Sequence, residues 1–470
     1  MKMNNSVSVN PTRALVDAAY RFNYAELPAM TRQQIQFLLC DGIGVLFMGM
    51  EHPTIQKLMQ HFRMQHTHAG ATFPGLGLEL PVTDAAFVYG TSTHVLDFEP
   101  MFDPPTHAVS PVLGAIFALA SRDSDLHTGC GEVFLRAFAA GIALQAELRE
   151  ASRVADDSAK LEQKFFPFQK QGFHPPGTVG VMGSALVSAI LLGLSEDEAC
   201  MALGMAASRA GGIAANIGTA TKATHSGNAA RAGLECALLV KNGFTASRDT
   251  FAEPGGWGEV FGGDAFDANY LIEGMESMRC FMRPGFAFKR WPAHTAMQVA
   301  IDAALQLHQR DLKFDGDVVI ETPVFPYCNR PNPQSTDECR FSFQFNVVQA
   351  MLDGEVNAQS FSESQLQRSD IQRMLAKTRL SFDNRIPADF TRMEVRIMLS
   401  DGRNATSNTW LGHWNSAVNE NVIADKFLSC MSHVLSEAER QKLVDNLLGS
   451  AQAFNLKACM QSLRQSKVFF

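Results

Sequence analysis

The sequence predicts a mainly α-helical protein with an inserted α+β lid, and three observations lead there. Up to about residue 275, apolar residues recur at helical spacing in one segment after another. From about 276 to 405 short alternating and β-branched runs replace them, and from about 418 the helical pattern returns. A large all-helical domain formed by both chain ends, residues 1–275 and 406–470, is therefore expected to carry a smaller α+β domain, residues 276–405. At 470 residues the chain exceeds what one core ordinarily supports, which agrees with two domains.

Each element has its own signal. "TRALVDAAYRFNYAELP" and "MTRQQIQFLLCDGIGVLFMGM" have helical apolar spacing, the second with Gly42 and Gly44 for close helix contact. "DAAFVYGTSTHVLDF" and "SPVLGAIFALASRD" are two further helices, and between them lie two acids, three prolines and a histidine. Gly, Ala and Ser then dominate through residue 215, the mark of helices packed backbone to backbone; Ser195 followed by Glu198 is a capping box. In the second region "GDVVIETPVF" and "TRMEVRIMLSDGRNATSNTW" read as strands, with Asp401-Gly402 as a hairpin turn. "RFSFQFNVVQAMLDG" opens with strict alternation and ends as a helix. The closing "VIADKFLSCMSHVLSEAERQKLVDNLLGSAQAF" is helical and is expected to pack back on the first domain.

Composition removes several classes. With 46% hydrophobic and 19% charged residues the chain is globular, and a net charge of −8 without a local Lys/Arg cluster argues against nucleic-acid binding. No apolar run is long enough to span a membrane, and the start lacks the pattern of a secretory signal, so a cytoplasmic location is expected. Nine scattered cysteines without a CxxC pair read as buried small hydrophobes. There is no Walker loop, GxGxxG, HExxH or GxSxG, and His66-Thr67-His68 is only a weak metal signal, so neither cofactor nor metal is expected. His52 and His61 stand in polar or surface-helix contexts.

Four stretches combine ionisable residues with Gly, Pro or Thr beyond what packing requires. In "LDFEPMFDPPTHAV", Asp97 lies one turn after His94, and prolines 100, 104 and 105 force an extended path to His107. Such a broken helix can aim Asp97 and His107 into one space, or Asp97 can simply accept backbone bonds in a turn. "FQKQGFHPPGTVG" places His174 at a helix start suited to an anion, or in a plain surface loop. "NIGTATKATHSGNAARAG" sets Lys222 and His225 one turn apart among Thr219, Thr221 and Thr224, where the lysine serves a polyanion or begins a helix. "TPVFPYCNRPNPQSTDECRFSFQF" contains Tyr327, one of five tyrosines, with Arg330 and Arg340. Beside it "FMRPGFAFKRWPAHTAMQ" brings Arg283, Lys289, Arg290 and His294, a basic run that a solvated surface would also explain. The shared theme is acid/base work on an anion by His, Asp, Lys and Tyr.

Taken in this order and spacing, "YGTSTHVLDFEP", "GFHPPGTVG", "TATKATHSGNAARAG" and "YCNRPNPQSTDECRFSFQF", with "LLCDGIGVLFMG" and the C-terminal "IADKF", resemble the MmgE/PrpD family. That family includes 2-methylcitrate dehydratase, cis-aconitate decarboxylase and iminodisuccinate epimerase, and the likeness is strongest to the decarboxylase branch. The resemblance implies a homodimer and a cofactor-independent lyase on a small di- or tricarboxylate. A hydro-lyase, an epimerase and a non-catalytic carboxylate binder stand as alternatives. It places catalytic roles on Asp97, His107, His174, Lys222 and Tyr327. Met101, Thr221, His225, His294 and Arg330 become candidates for binding substrate. One position departs: the family's usual "DFDDT" reads "DFEPM", so Met101 stands where a threonine hydroxyl is expected.

Overall fold

The computed structural model describes residues 10–65, 71–122, 131–152, 172–282, 285–308, 314–449 and 454–467. Helices dominate, and the described strands are short. One hydrophobic core draws on buried side chains from Leu15 to Phe288 and again from Ile423 to Leu463. A second is built from Ala287 to Trp414 and takes in Met101. The fold is thus mainly α with a smaller α+β part.

In the first core the helices Val82–Val95, Val109–Arg122, Gly180–Leu191 and Ala220–Lys241 pack on one another. Their small residues set how closely they approach. A Cβ on Gly90 would lie 3.0 Å from the Cα of Gly227, and one on Gly227 would lie 2.1 Å from Thr91 Oγ1. This glycine contact brings the start of Ala220–Lys241, with Lys222 and His225, beside the end of Val82–Val95. The Ser195/Glu198 capping box forms as expected. Glu420–Cys430 packs on Ala29–Met50, where Lys426 reaches buried Asp41 at 2.7 Å and donates to Phe98 O at 2.9 Å.

The second core holds a four-stranded sheet in the order Thr378–Phe382, Val318–Thr322, Val395–Leu399, Asn404–Ser407, the first pair parallel and the others antiparallel. Alternate residues of Val318–Thr322 are buried, as a strand with one covered face requires. Helices Thr295–His308 and Phe343–Asp353 pack on the sheet and on each other. Asp401 and Gly402 form the expected turn, with Gly402 at φ 91°. The alternation in "RFSFQF" is not a strand. Ser342 caps a helix that begins at Phe343, accepting from Phe345 N at 3.0 Å, so the phenylalanines serve a helix start.

A two-residue antiparallel pairing of Met101–Phe102 with Phe286–Ala287 joins the proline-rich stretch to the chain that enters the second core. Among the described residues no single helix is long and apolar enough to cross a membrane. Eight cysteines are described, all free and buried.

Candidate active site

The helix Val82–Val95 stops one residue before Leu96, and the chain turns at Asp97, whose φ of 50° is one of two positive values among described non-glycine residues. Aspartate tolerates this left-handed conformation better than most residues, and such geometry gathers at functional sites. The buried Asp97 carboxylate is ion-paired with both Lys222 and Lys289, and Lys289 Nζ also donates to Asp97 O at 2.8 Å. His107 Nε2 lies 3.8 Å from Asp97 Oδ1. Burial alone would raise this carboxyl, but the two lysines outweigh it and hold Asp97 well below the ordinary range.

Four buried histidines surround these three charges. The rings of His94 and His107 are 4.5 Å apart, and His94 and His174 5.7 Å. His174 and His225 face each other Nδ1 to Nδ1 at 3.0 Å, so one donates and the other accepts. Burial, with Lys222 adding to it, lowers His94 and His225 to about 4 and His174 well below its usual value. Burial lowers His107 too, against the opposing pull of Glu99. All four are therefore neutral near pH 7, ready to take up a proton when negative charge arrives.

The second core contributes the opposite wall. His294 Nε2 is 3.4 Å from Tyr327 Oη, and burial lowers His294 to about 3. Arg330 donates to Tyr327 O at 3.0 Å and to Ile217 O at 3.3 Å, linking the tyrosine loop to the segment before Lys222. Met101 is buried, its sulfur accepting from Thr295 Oγ1 at 2.9 Å. A narrow recess that opens to solvent lies between the two parts, lined by His94, Asp97, Lys222, Asp337, Arg340 and Phe341 among others.

Asp97, His107, His174, Lys222 and His225 thus converge, with His294 and Tyr327 facing them from the second core. Thr221 does not join them: it is exposed, and its carbonyl accepts from Thr224 Oγ1 at 2.7 Å. The helix start at His174 offers an anion little, because Pro175 and Pro176 have no N–H and that of Gly177 bonds to His174 O at 3.0 Å. Lys289, read as part of a basic run, is buried at 1% exposure, and His52 is buried with Asp337 at 3.6 Å. His94, noted for its one-turn spacing to Asp97, proves to be a site residue, and Glu99 and Lys289 join it without having been assigned a role; a glutamate two positions after Asp97 was the available signal. His66, His68 and Arg283 lie outside the described residues. Donor atoms of His94, Glu99 and His107 lie within 4.8 Å of one another, and the direct His94–Glu99 contact leaves no space for an ion between those two.

Comparison with known proteins identifies the family. Residues 13–268 match the MmgE/PrpD N-terminal domain and residues 291–449 the MmgE/PrpD C-terminal domain. The chain is similar to cis-aconitate decarboxylase of Mus musculus, 32% identical over 425 residues that cover 87% of this chain and 84% of the relative. It is also similar to cis-aconitate decarboxylase of Homo sapiens, 30% identical over 442 residues covering 90% and 88%. A shorter match, 27% identical over 230 residues covering 47% of this chain and 44% of the relative, is to cis-aconitate decarboxylase of Aspergillus terreus.

Proposed function

The chain belongs to the MmgE/PrpD family, and from that premise we propose that it is a lyase that decarboxylates a cis-aconitate-like tricarboxylate. One observation carries the reading: a buried aspartate clamped between two lysines and ringed by neutral histidines. A polycarboxylate entering here meets Lys222 as a cation, backed by buried Lys289 behind Asp97, and Tyr327 as a donor. Breaking the bond to the departing carboxyl releases carbon dioxide and leaves an electron pair on carbon, which delocalises toward a neighbouring carboxylate. The lysines and Tyr327 stabilise that charge, and a proton added to carbon completes an unsaturated dicarboxylate.

His107 is the proton donor in this scheme. The negative charge of the bound substrate raises its proton affinity, and Asp97 beside it supports the imidazolium that results. Of His174 and His225, held to each other through Nδ1, the ring that accepts carries its proton on Nε2 and is the neutral donor to substrate, while the other offers an acceptor. No cofactor enters, since these side chains supply every proton and charge that the reaction needs. We take the working unit to be a homodimer, as the family resemblance implies.

The test is product analysis after incubation with cis-aconitate, 2-methylcitrate and iminodisuccinate. Carbon dioxide from cis-aconitate is expected; an alkene without it, or racemised starting material, would assign dehydration or epimerisation instead. His107→Ala and Lys222→Ala are expected to abolish turnover while the protein stays folded.

A further inference from the structure

Glu99 has no part in the scheme above, yet it is fully buried in the middle of it. One of its oxygens, Oε1, is hydrogen-bonded by Nδ1 of His94 in direct contact and by Ser110 Oγ at 3.3 Å, and Nδ1 of His107 lies 3.1 Å from it without hydrogen-bond alignment or any other hydrogen-bond partner among the described residues. Ser110 Oγ also lies at hydrogen-bond distance from Ser226 Oγ, 3.0 Å, which ties the carboxylate to the helix that carries Lys222. Oε2 has no hydrogen-bond partner among the described residues. A carboxylate withdrawn from water and focused on two imidazoles through one oxygen is costly unless both rings turn an N–H toward it.

We infer that Glu99 is a positioning residue that fixes the proton of both His94 and His107 on Nδ1, and so presents Nε2 of His107, unprotonated at rest, toward Asp97 and the substrate. The geometry of His107 supports this. Its Nδ1 is sealed from solvent, while the side chain keeps 9% of its surface and its Nε2 stands 3.8 Å from Asp97 Oδ1. The groups facing His107 are Glu99 and Asp97, which favour its protonation, and His94, His174, Lys222 and Lys289, which oppose it. Burial pushes the Glu99 carboxyl up, but His94 and His107 outweigh that and hold it well below its usual value, so it is a standing negative charge. The opposition of the two lysines makes Glu99 the element that keeps His107 within reach of protonation near neutral pH.

The role rests on the reading of His107 as proton donor, and the experiment separates the two. Protein labelled with 15N at histidine is titrated without substrate, as wild type, Glu99→Gln and Glu99→Asp, and kcat and KM are measured across pH in parallel. Glutamine keeps an acceptor oxygen but loses the charge. It is expected to preserve the Nδ1–H tautomer, lower the His107 pKa by about one unit and shift the alkaline limb of kcat down equally. Neutral-pH kcat then falls about tenfold with KM changed less than about threefold. Glu99→Asp keeps the charge and is expected to restore part of the shift, and it serves as the second variant should Glu99→Gln fail to fold. A histidine titration unchanged in both variants overturns the inference whatever the turnover shows. An altered titration with an unchanged pH profile of kcat retains Glu99 as the partner of His107 and rejects His107 as the donor.

Discussion

Lys289 Nζ bonds to Asp97 twice, donating to its main-chain carbonyl at 2.8 Å and pairing with its carboxylate. The two bonds hold the backbone and the side chain of a residue at positive φ at the same time. Lys289 follows the strand Phe286–Ala287, which is paired with Met101–Phe102, so the chain entering the second core completes the charge arrangement of the first. Asp97 is thereby fixed from both parts of the molecule.

Lys289→Met is expected to abolish turnover and to destabilise the fold by roughly 3–5 kcal/mol, because it breaks a buried pair and leaves a carboxylate with one cation in place of two. Thermal unfolding and turnover of the variant check this together. A stable variant with normal rates would mean that Lys222 alone neutralises Asp97.

The contrast between Lys289 and Lys222 shows what spacing can and cannot reveal. Lys222 stands among small residues on a helix, where a lone charge is conspicuous, and Asp97 and His107 are marked by the prolines between them. Lys289 sits in "FAFKRW" next to a second basic residue, and local sequence cannot tell a charge turned inward from one turned to solvent. Its partner is 192 residues away and meets it only through the Met101–Phe102 pairing. Glu99 was hidden for a related reason: in a proline-rich loop an acid ordinarily caps a turn, and here it turns toward His94 and His107. The helices were legible because their apolar period is local. The false strand at "RFSFQF" arose because phenylalanines two apart fit either a strand or a capped helix start.

Stability is expected to fall on acidification below about pH 6.5. His94 and His225 titrate at about 4 and His52 and His294 at about 3 in the folded protein, all depressed chiefly by burial. Their stabilising effect is complete above the unfolded value of about 6.5 and is lost as pH falls toward the folded values. Each contributes a slope of at most about 1.4 kcal/mol per pH unit. Burial raises Asp41 to about 6 and Glu147 to about 7; these lend stability at low pH that is lost as pH rises through those values, a smaller opposing effect. Unfolding followed between pH 7 and 5 should show the decline, and His225→Asn should flatten it.

Arg330 holds the two parts of the site together, and Arg330→Ala is expected to raise KM about tenfold with kcat nearly unchanged. Its bond to Tyr327 O orients the phenol loop, and its bond to Ile217 O fixes the segment before Lys222. The guanidinium passes so close to Gly218, at φ 91°, that a Cβ there would lie 2.5 Å from it. Gly218→Ala should therefore reproduce the kinetic effect through displacement of Arg330. Steady-state kinetics on both variants decide it; a rise in KM for one alone would separate the guanidinium from the loop.

Met101→Thr tests whether the departure from the family pattern sets substrate choice. Met101 is buried in the second core, and its sulfur accepts from Thr295 Oγ1 at 2.9 Å, while the adjoining backbone pairs with Ala287. Threonine removes side-chain volume there and is expected to destabilise by about 2–3 kcal/mol through the cavity left behind. Its hydroxyl can replace the sulfur as partner of Thr295 and still offer a donor to a substrate carboxylate, which a thioether cannot. A tricarboxylate should gain more from that donor than a dicarboxylate, so the ratio of their kcat/KM values is expected to rise about tenfold, a change of about 1.4 kcal/mol in relative transition-state binding. An unchanged ratio in a folded variant would place Met101 in the core alone and move the search for the selective contact to Arg340, which lines the recess.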